Sequence, residues 1–150
     1  FGVTTPSIKW KVYQFFFEKY GIDMEKYIVL SHPGNNISIS ATLQKGVFLE
    51  PGVVVASFTE MGFGVSVKRC ASIGHHTKIG DFCNINPGVV INGLVEVGYG
   101  TTIGSGAVIL DNVKIGNNCM IGAGSIVTRD IPSGVVAYGS PCKVVRENEK

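Results

Sequence analysis

No run of the ~18 consecutive apolar residues that a membrane-spanning helix requires occurs in the 150-residue sequence, and no signal-peptide pattern is visible. Charge is also sparse. Charged residues make up 16 % of the chain and the formal net charge is +2, with the basic residues scattered rather than clustered. Neither nucleic acid nor an anionic membrane is therefore expected as the main partner. There are 3 histidines and 4 cysteines, and Cys70, Cys83, Cys119 and Cys142 lack the close pairing of a metal-binding motif. A reduced, cytoplasmic protein is the simplest expectation. The first residue is Phe1 rather than Met, so a preceding stretch is expected.

What the sequence does have is a period. Every sixth residue from Ile37 through Leu43, Leu49 and Val55 to Ile115, Ile121 and Val127 is apolar, without a slip in register. Four residues after each stands a second column, including Val53, Thr59, Ala71, Thr77, Cys83, Thr101, Ala107, Cys119 and Ser125. Nearly all of its members are small or β-branched. Glycine or asparagine recurs directly after the aliphatic position (Gly74, Gly80, Asn92, Gly98, Gly104) and again two residues later (Gly46, Gly64, Gly88, Asn112, Gly124).

Side chains two apart in a strand point the same way, so each small residue and the next aliphatic one share an interior. The other residues of each hexapeptide turn the chain, and glycine and asparagine tolerate the positive φ that tight turns demand. A helix or coiled coil would need a period near 3.6, and an antiparallel sandwich would bring turns every ~8–12 residues. A parallel β-solenoid survives both tests. The period leaves open the number of faces and the hand, and parallel connections are usually right-handed. Cys83 and Cys119 fall on inward positions and are expected to be buried hydrophobes.

Before the ladder, Phe1-Gly2-Val3 reads as the tail of a strand. Thr5 reads as an N-cap with Pro6 at the first helical position, Ile8, Val12, Phe15, Phe16 and Tyr20 recur at helical spacing, and Gly21 ends the helix. A strand is expected over Tyr27–Leu30, making a βαβ-like fragment. After the ladder, Asp130–Gly134 breaks the repeat and Val135–Tyr138 reads as a last strand. Both ends are expected to cap the solenoid, whose terminal coils otherwise expose strand edges.

Hexapeptides of this aliphatic–Gly–x–x–small–x type resemble those of the left-handed β-helix acyltransferases. The resemblance covers essentially the whole chain and implies a three-sided prism of about five coils, assembled as a homotrimer with sites between subunits. Ser72-Ile73-Gly74-His75-His76-Thr77 resembles the catalytic-histidine segment of the sialic acid O-acetyltransferase and bacillosamine N-acetyltransferase group. Ile121–Ser125 resembles the coil along the coenzyme A arm, and Gly139-Ser140-Pro141-Cys142-Lys143 resembles the closing acetyl-CoA segment, usually Gly-Asn-Pro-Ala-Lys. The division implied is residues 1–34 as the remnant of an α/β nucleotide-sugar-binding subdomain, 35–132 as the β-helix, and 133–150 as the C-terminal cap. The acidic residue that often follows the catalytic histidine is His76 here, and Ser140 and Cys142 replace the usual Asn and Ala.

The activity implied is acetyl-CoA-dependent acetylation of an amino group on a nucleotide-linked amino sugar in polysaccharide or glycan biosynthesis, without a metal. O-acetylation is the close variant, because one base serves both. Acetyl transfer needs a base for the acceptor's proton and donors for the oxyanion. His75, at a turn two residues past Ile73, is the expected general base; on composition alone it would be a solvated turn histidine. The resemblance puts His76, Asn84 and Gly93 near the acetyl group or acceptor, with the Gly93 N–H on the acetyl carbonyl. It puts Ser105 and Ala123 along the pantetheine arm, and Lys143, with Arg146, at the phosphates.

Two other classes of function are compatible with a β-solenoid. A zinc hydrolyase of the γ-carbonic anhydrase type shares the prism but needs three converging histidines, and His32, His75 and His76 form no credible set. A non-catalytic solenoid serving as an assembly module would need neither donor nor base.

Overall fold

The computed structural model describes residues 5–149, so the strand tail read at Phe1–Val3 lies outside the described residues. From Asn36–Ile37 to Ile126–Val127 every hexapeptide contributes one strand of 2 residues. Asn84–Ile85 lies on a first face, Val90–Ile91 on a second, Glu96–Val97 on a third, and Thr102–Ile103 is back on the first, parallel to Asn84–Ile85. The three sheets contain 8, 6 and 5 strands in that order. The prism has about 6 turns rather than about five. Leu30–Ser31 joins the first face beside Phe48–Leu49, and Ile131 bridges to Ile115, so the winding runs past both ends of the apolar ladder. The expected strand at Tyr27–Leu30 is thus a short 3-10 turn, Met24–Lys26, followed by the first rung of the solenoid itself.

The two inward columns form one core running the length of the prism, from Val47 and Leu49 to Val127 and Ile131. Polar members of the small column are buried too, and each finds a partner. Thr59 donates to the Gly74 carbonyl at 3.0 Å, Thr77 to Asn92 O at 3.0 Å and Thr101 to Gly116 O at 2.8 Å. Cys83 and Cys119 take the same part, their thiols donating to Gly98 O and Pro132 O, each at 3.0 Å. The column therefore selects small side chains that satisfy a corner carbonyl of the next coil, and not merely small volume. Burial pushes the Cys83 thiol up to about 12, which removes it as a thiolate nucleophile.

Helix α1 (Pro6–Tyr20) follows an extended Thr5 and stops at Gly21, whose φ of 63° is the left-handed cap expected there. The face that docks is not the apolar stripe read from the sequence: Ile8, Phe15 and Tyr20 are 45, 50 and 57 % exposed. Instead the fully buried Lys9 reaches the outer side of the first face, donating to Gly64 O (3.0 Å), Ser66 Oγ (2.8 Å) and Cys83 O (3.2 Å). Around it Trp10 meets Phe82 and Tyr13 meets Phe63, with ring centroids 5.7 and 5.5 Å apart. At the other end Val135–Gly139 adds to the first face, then turns back as Cys142–Glu147 in an antiparallel hairpin. That second strand has no counterpart in the sequence reading.

Candidate active site

The prism has three edges, and most of the residues expected at the site divide between two of them. The edge joining the second and third faces carries Ser57–Phe58, His75–His76, Gly93–Leu94 and Asp111–Asn112 on successive coils. Both histidines are exposed. His75 lies on Gly93 of the next coil: a Cβ built on that glycine would stand 2.6 Å from both Cε1 and Nε2 of the imidazole. Any other residue at 93 would evict the ring. The other ring nitrogen, His75 Nδ1, is 3.1 Å from His76 Nδ1. The His76 ring in turn packs on Phe58, centroids 4.9 Å apart and planes 35° apart. The backbone bends here through a left-handed residue, His76 at φ 55°, as it does at Phe58, Leu94 and Asn112 on the same edge. That bend turns two consecutive side chains towards each other.

Gly93 is expected to offer its N–H to an acetyl carbonyl, but in this structure the N–H already donates to Asp111 Oδ1 at 3.0 Å, while Asp111 Oδ2 accepts from Asn92 Nδ2 at 3.2 Å. Having no side chain, Gly93 also gives His75 its seat. Asp111 belongs to a recurrent device: Asp81, Asn117 and Ser133 likewise accept the N–H of the residue one coil earlier, from Phe63, Tyr99 and Asn117 respectively. The signal that would have found Asp111 is its place one coil after Gly93, a side-chain acceptor at a corner. His75 occupies the same corner position, yet its ring turns to His76.

Ser105 and Ala123 lie on the edge between the first and second faces, on consecutive coils joined by Gly124 N–H donating to Ser105 O at 2.9 Å. Beside them a Cβ on Gly106 or Gly124 would meet nothing within 4 Å, so this edge is open to a thin ligand lying along the backbone. The turn Gly139–Cys142 continues the same edge one coil further on, since Ala137 pairs with Ile121 and Gly139 N–H donates to Ser125 Oγ at 3.2 Å. Lys143 follows it, exposed and in none of the ion pairs among the described residues. Ser105, Ala123 and Lys143 therefore share one edge, and His75, His76 and Gly93 share another.

Asn84 is on neither. It lies on the outer side of the first face next to Ser66, only 5 % exposed where Lys9 anchors α1, with its Nδ2 donating to Asn86 Oδ1 at 3.0 Å. Lys9 of α1 bonds its neighbours Ser66 and Cys83, so Asn84 lies buried beside the helix anchor and away from the edge carrying His75 of its own chain. His32 is elsewhere again, its Nδ1 accepting Gly34 N–H at 3.1 Å. Among the described residues no group of 3 or more His, Cys, Asp or Glu side chains is arranged to hold a metal ion.

The bacterial transferase hexapeptide family (six repeats) matches residues 95–129. No curated protein matches the chain. Among solved structures, a histidine-to-asparagine mutant of perosamine N-acetyltransferase from Caulobacter crescentus, in complex with CoA and GDP-perosamine, superposes with a TM-score of 0.87 at 25 % identity, over 97 % of this chain and 67 % of that one. The fold is that of the left-handed β-helix acetyltransferases. The acetyltransferase domain of PglB from Neisseria gonorrhoeae gives 0.76 at 26 % identity, over 95 % of this chain and 68 % of that one. WeeI from Acinetobacter baumannii has the same fold, with a TM-score of 0.88 at 24 % identity, over 95 % of this chain and 68 % of its own. The hand that the hexapeptide period leaves open is thereby fixed as left-handed.

Proposed function

We propose that this chain is an acetyl-CoA-dependent sugar acetyltransferase acting on the amino group of a nucleotide-linked amino sugar, with His75 as general base. The observation that carries the reading is the built seat of His75: an exposed imidazole backed by Gly93 and bonded to His76. It stands on a solenoid similar to an N-acetyltransferase solved with CoA and GDP-perosamine, and that similarity favours an amine over a hydroxyl as acceptor.

The open edge fits coenzyme A. Ser105 and Ala123 beside Gly106 and Gly124 leave room for the pantetheine arm against the backbone, and the unpaired Lys143 ammonium suits a phosphate. Bound there, acetyl-CoA supplies an acetyl group activated as a thioester. His75 Nε2 takes the proton that the acceptor amine loses as its nitrogen bonds to the acetyl carbon; the thioester C–S bond then breaks, and coenzyme A leaves as the thiol with that proton returned to its sulfur. The Asp111 carboxylate holds the corner carrying that seat in place.

The base and the donor edge stand at opposite sides of the second face, so one chain does not unite them. Between them Val54, Val90 and Ile126 project outward, 43, 37 and 37 % exposed, and Leu94, Leu110 and Phe58 border the His75 edge. A flat β-branched surface of this kind supports a homotrimer in which the base of one copy meets the donor edge of its neighbour. We place the protein in the cytoplasm, in a glycan-building pathway. We read residues 1–34 as the end of a nucleotide-sugar-binding subdomain, 35–132 as the catalytic β-helix and 133–150 as its cap.

The test is release of free coenzyme A thiol from acetyl-CoA with GDP-perosamine and other nucleotide amino sugars. Turnover with at least one of them, abolished in His75→Ala while calorimetric acetyl-CoA binding persists, is expected. Absence of acetyl-CoA binding at millimolar ligand would replace this reading with that of a non-catalytic assembly module.

A further inference from the structure

Two imidazoles 3.1 Å apart through like nitrogens impose a condition on each other. A neutral imidazole carries one N–H and one lone pair, so a bond between the two Nδ1 atoms requires opposite tautomers. If His75 holds its proton on Nδ1, its Nε2 is a lone pair and His76 must carry its own proton on Nε2. In the reverse arrangement His75 presents an N–H at Nε2 and has no lone pair there to receive a proton. The partner's tautomer thus decides whether His75 acts as a base at Nε2.

We propose that His76 is a positioning residue whose Nδ1 lone pair accepts the His75 Nδ1–H, holding His75 in the tautomer with a free Nε2. The inference rests on the reading of His75 as the base. Three structural features hold His76 to the task. Its backbone N–H is tied to Ser57 O at 2.9 Å, its left-handed φ aims its side chain back at His75, and its ring face is stacked on Phe58. An imidazole free to rotate would lose the bond as often as make it; this one is held by its ring contact with Phe58. When Nε2 takes a proton, His75 becomes an imidazolium with both nitrogens protonated. Its Nδ1–H then makes a charge-assisted bond to the neutral His76, stronger than the bond of the resting pair. His76 itself gains and loses no proton: the one that leaves the acceptor rests on His75 Nε2.

Ring-nitrogen NMR of the full chain labelled with 15N-histidine reads the tautomer directly and needs no substrate. The His75 signals are assigned by their loss in His75→Ala. His75 is expected to carry its proton on Nδ1 in the parent and in His76→Glu, whose carboxylate only accepts. In His76→Phe, which keeps an aromatic ring against Phe58, the proton is expected to redistribute towards Nε2. A parent His75 protonated on Nε2, or a His76→Phe spectrum unchanged from the parent, would overturn the proposal. The outcome is separable from that of the function: a His75→Ala protein that still releases coenzyme A normally would refute the base while leaving the tautomer result as measured.

Discussion

The Lys9 ammonium ends 2.8 Å from the Ser66 hydroxyl, so the docking of α1 on the prism is centred on a buried charge rather than on an apolar stripe. Burial lowers this lysine from 10.5 to about 8. The unfolded chain then binds the proton more tightly than the folded one, and below about pH 8 the cost of burying the charge is carried in full. Stability contributed by this group therefore rises as the pH climbs from about 8 towards 10.5. Denaturant midpoints measured across that window should increase in the parent relative to Lys9→Met, which lacks the titrating group. Parallel pH profiles for the two proteins would contradict the sign.

Gly93→Ala tests the seat of the base. The added methyl occupies the space of His75 Cε1 and Nε2, so the ring must swing away. Displacement of a catalytic group by about 1 Å costs roughly 10²-fold in rate. A fall in kcat of that order is expected, with acetyl-CoA binding and the thermal midpoint nearly unchanged because His75 is exposed and contributes little to the core. Steady-state coenzyme A release and a thermal melt on the same preparation decide it.

The outward valines of the second face lead to a test of assembly. Val90→Glu puts a charge in the middle of that surface without touching the inward columns. Sedimentation velocity should show the assembly falling to monomer while the far-ultraviolet circular dichroism of the solenoid persists, and acetyl transfer should disappear with it. A trimer as tight as the parent would move the interface to another face.

The solenoid was legible because its signal is redundant: a single period recurs sixteen times from Ile37 to Val127, and no local preference contradicts it. The corner positions of His75, Gly93, Ser105 and Ala123 follow from the same count. What escaped lies where the period is silent. Lys9 breaks the rule that charge stays outside, and only its three acceptors explain it. Asn84 stands at an outward position of the repeat, and nothing within the hexapeptides says that a helix from outside them anchors beside it. The strand Cys142–Glu147 is specified by its partner Val135–Gly139, through pairing that no six-residue count detects. Asp111 looks like any polar turn residue until Gly93 is known to sit one coil before it.

Each coil advances the chain by 18 residues, the separation between Gly93 and Asp111, and this makes the prism a kind of gearing. Removing or adding one hexapeptide between His75 and Ser105 would leave every inward residue inward and the core intact. It would nevertheless turn everything downstream by one face, carrying Ser105 and Ala123 to a different edge. A change of three hexapeptides restores the edges and alters only the height between base and donor groove. Length variation in such a chain is therefore quantised: single steps re-index the site around the axis, and whole coils slide it along.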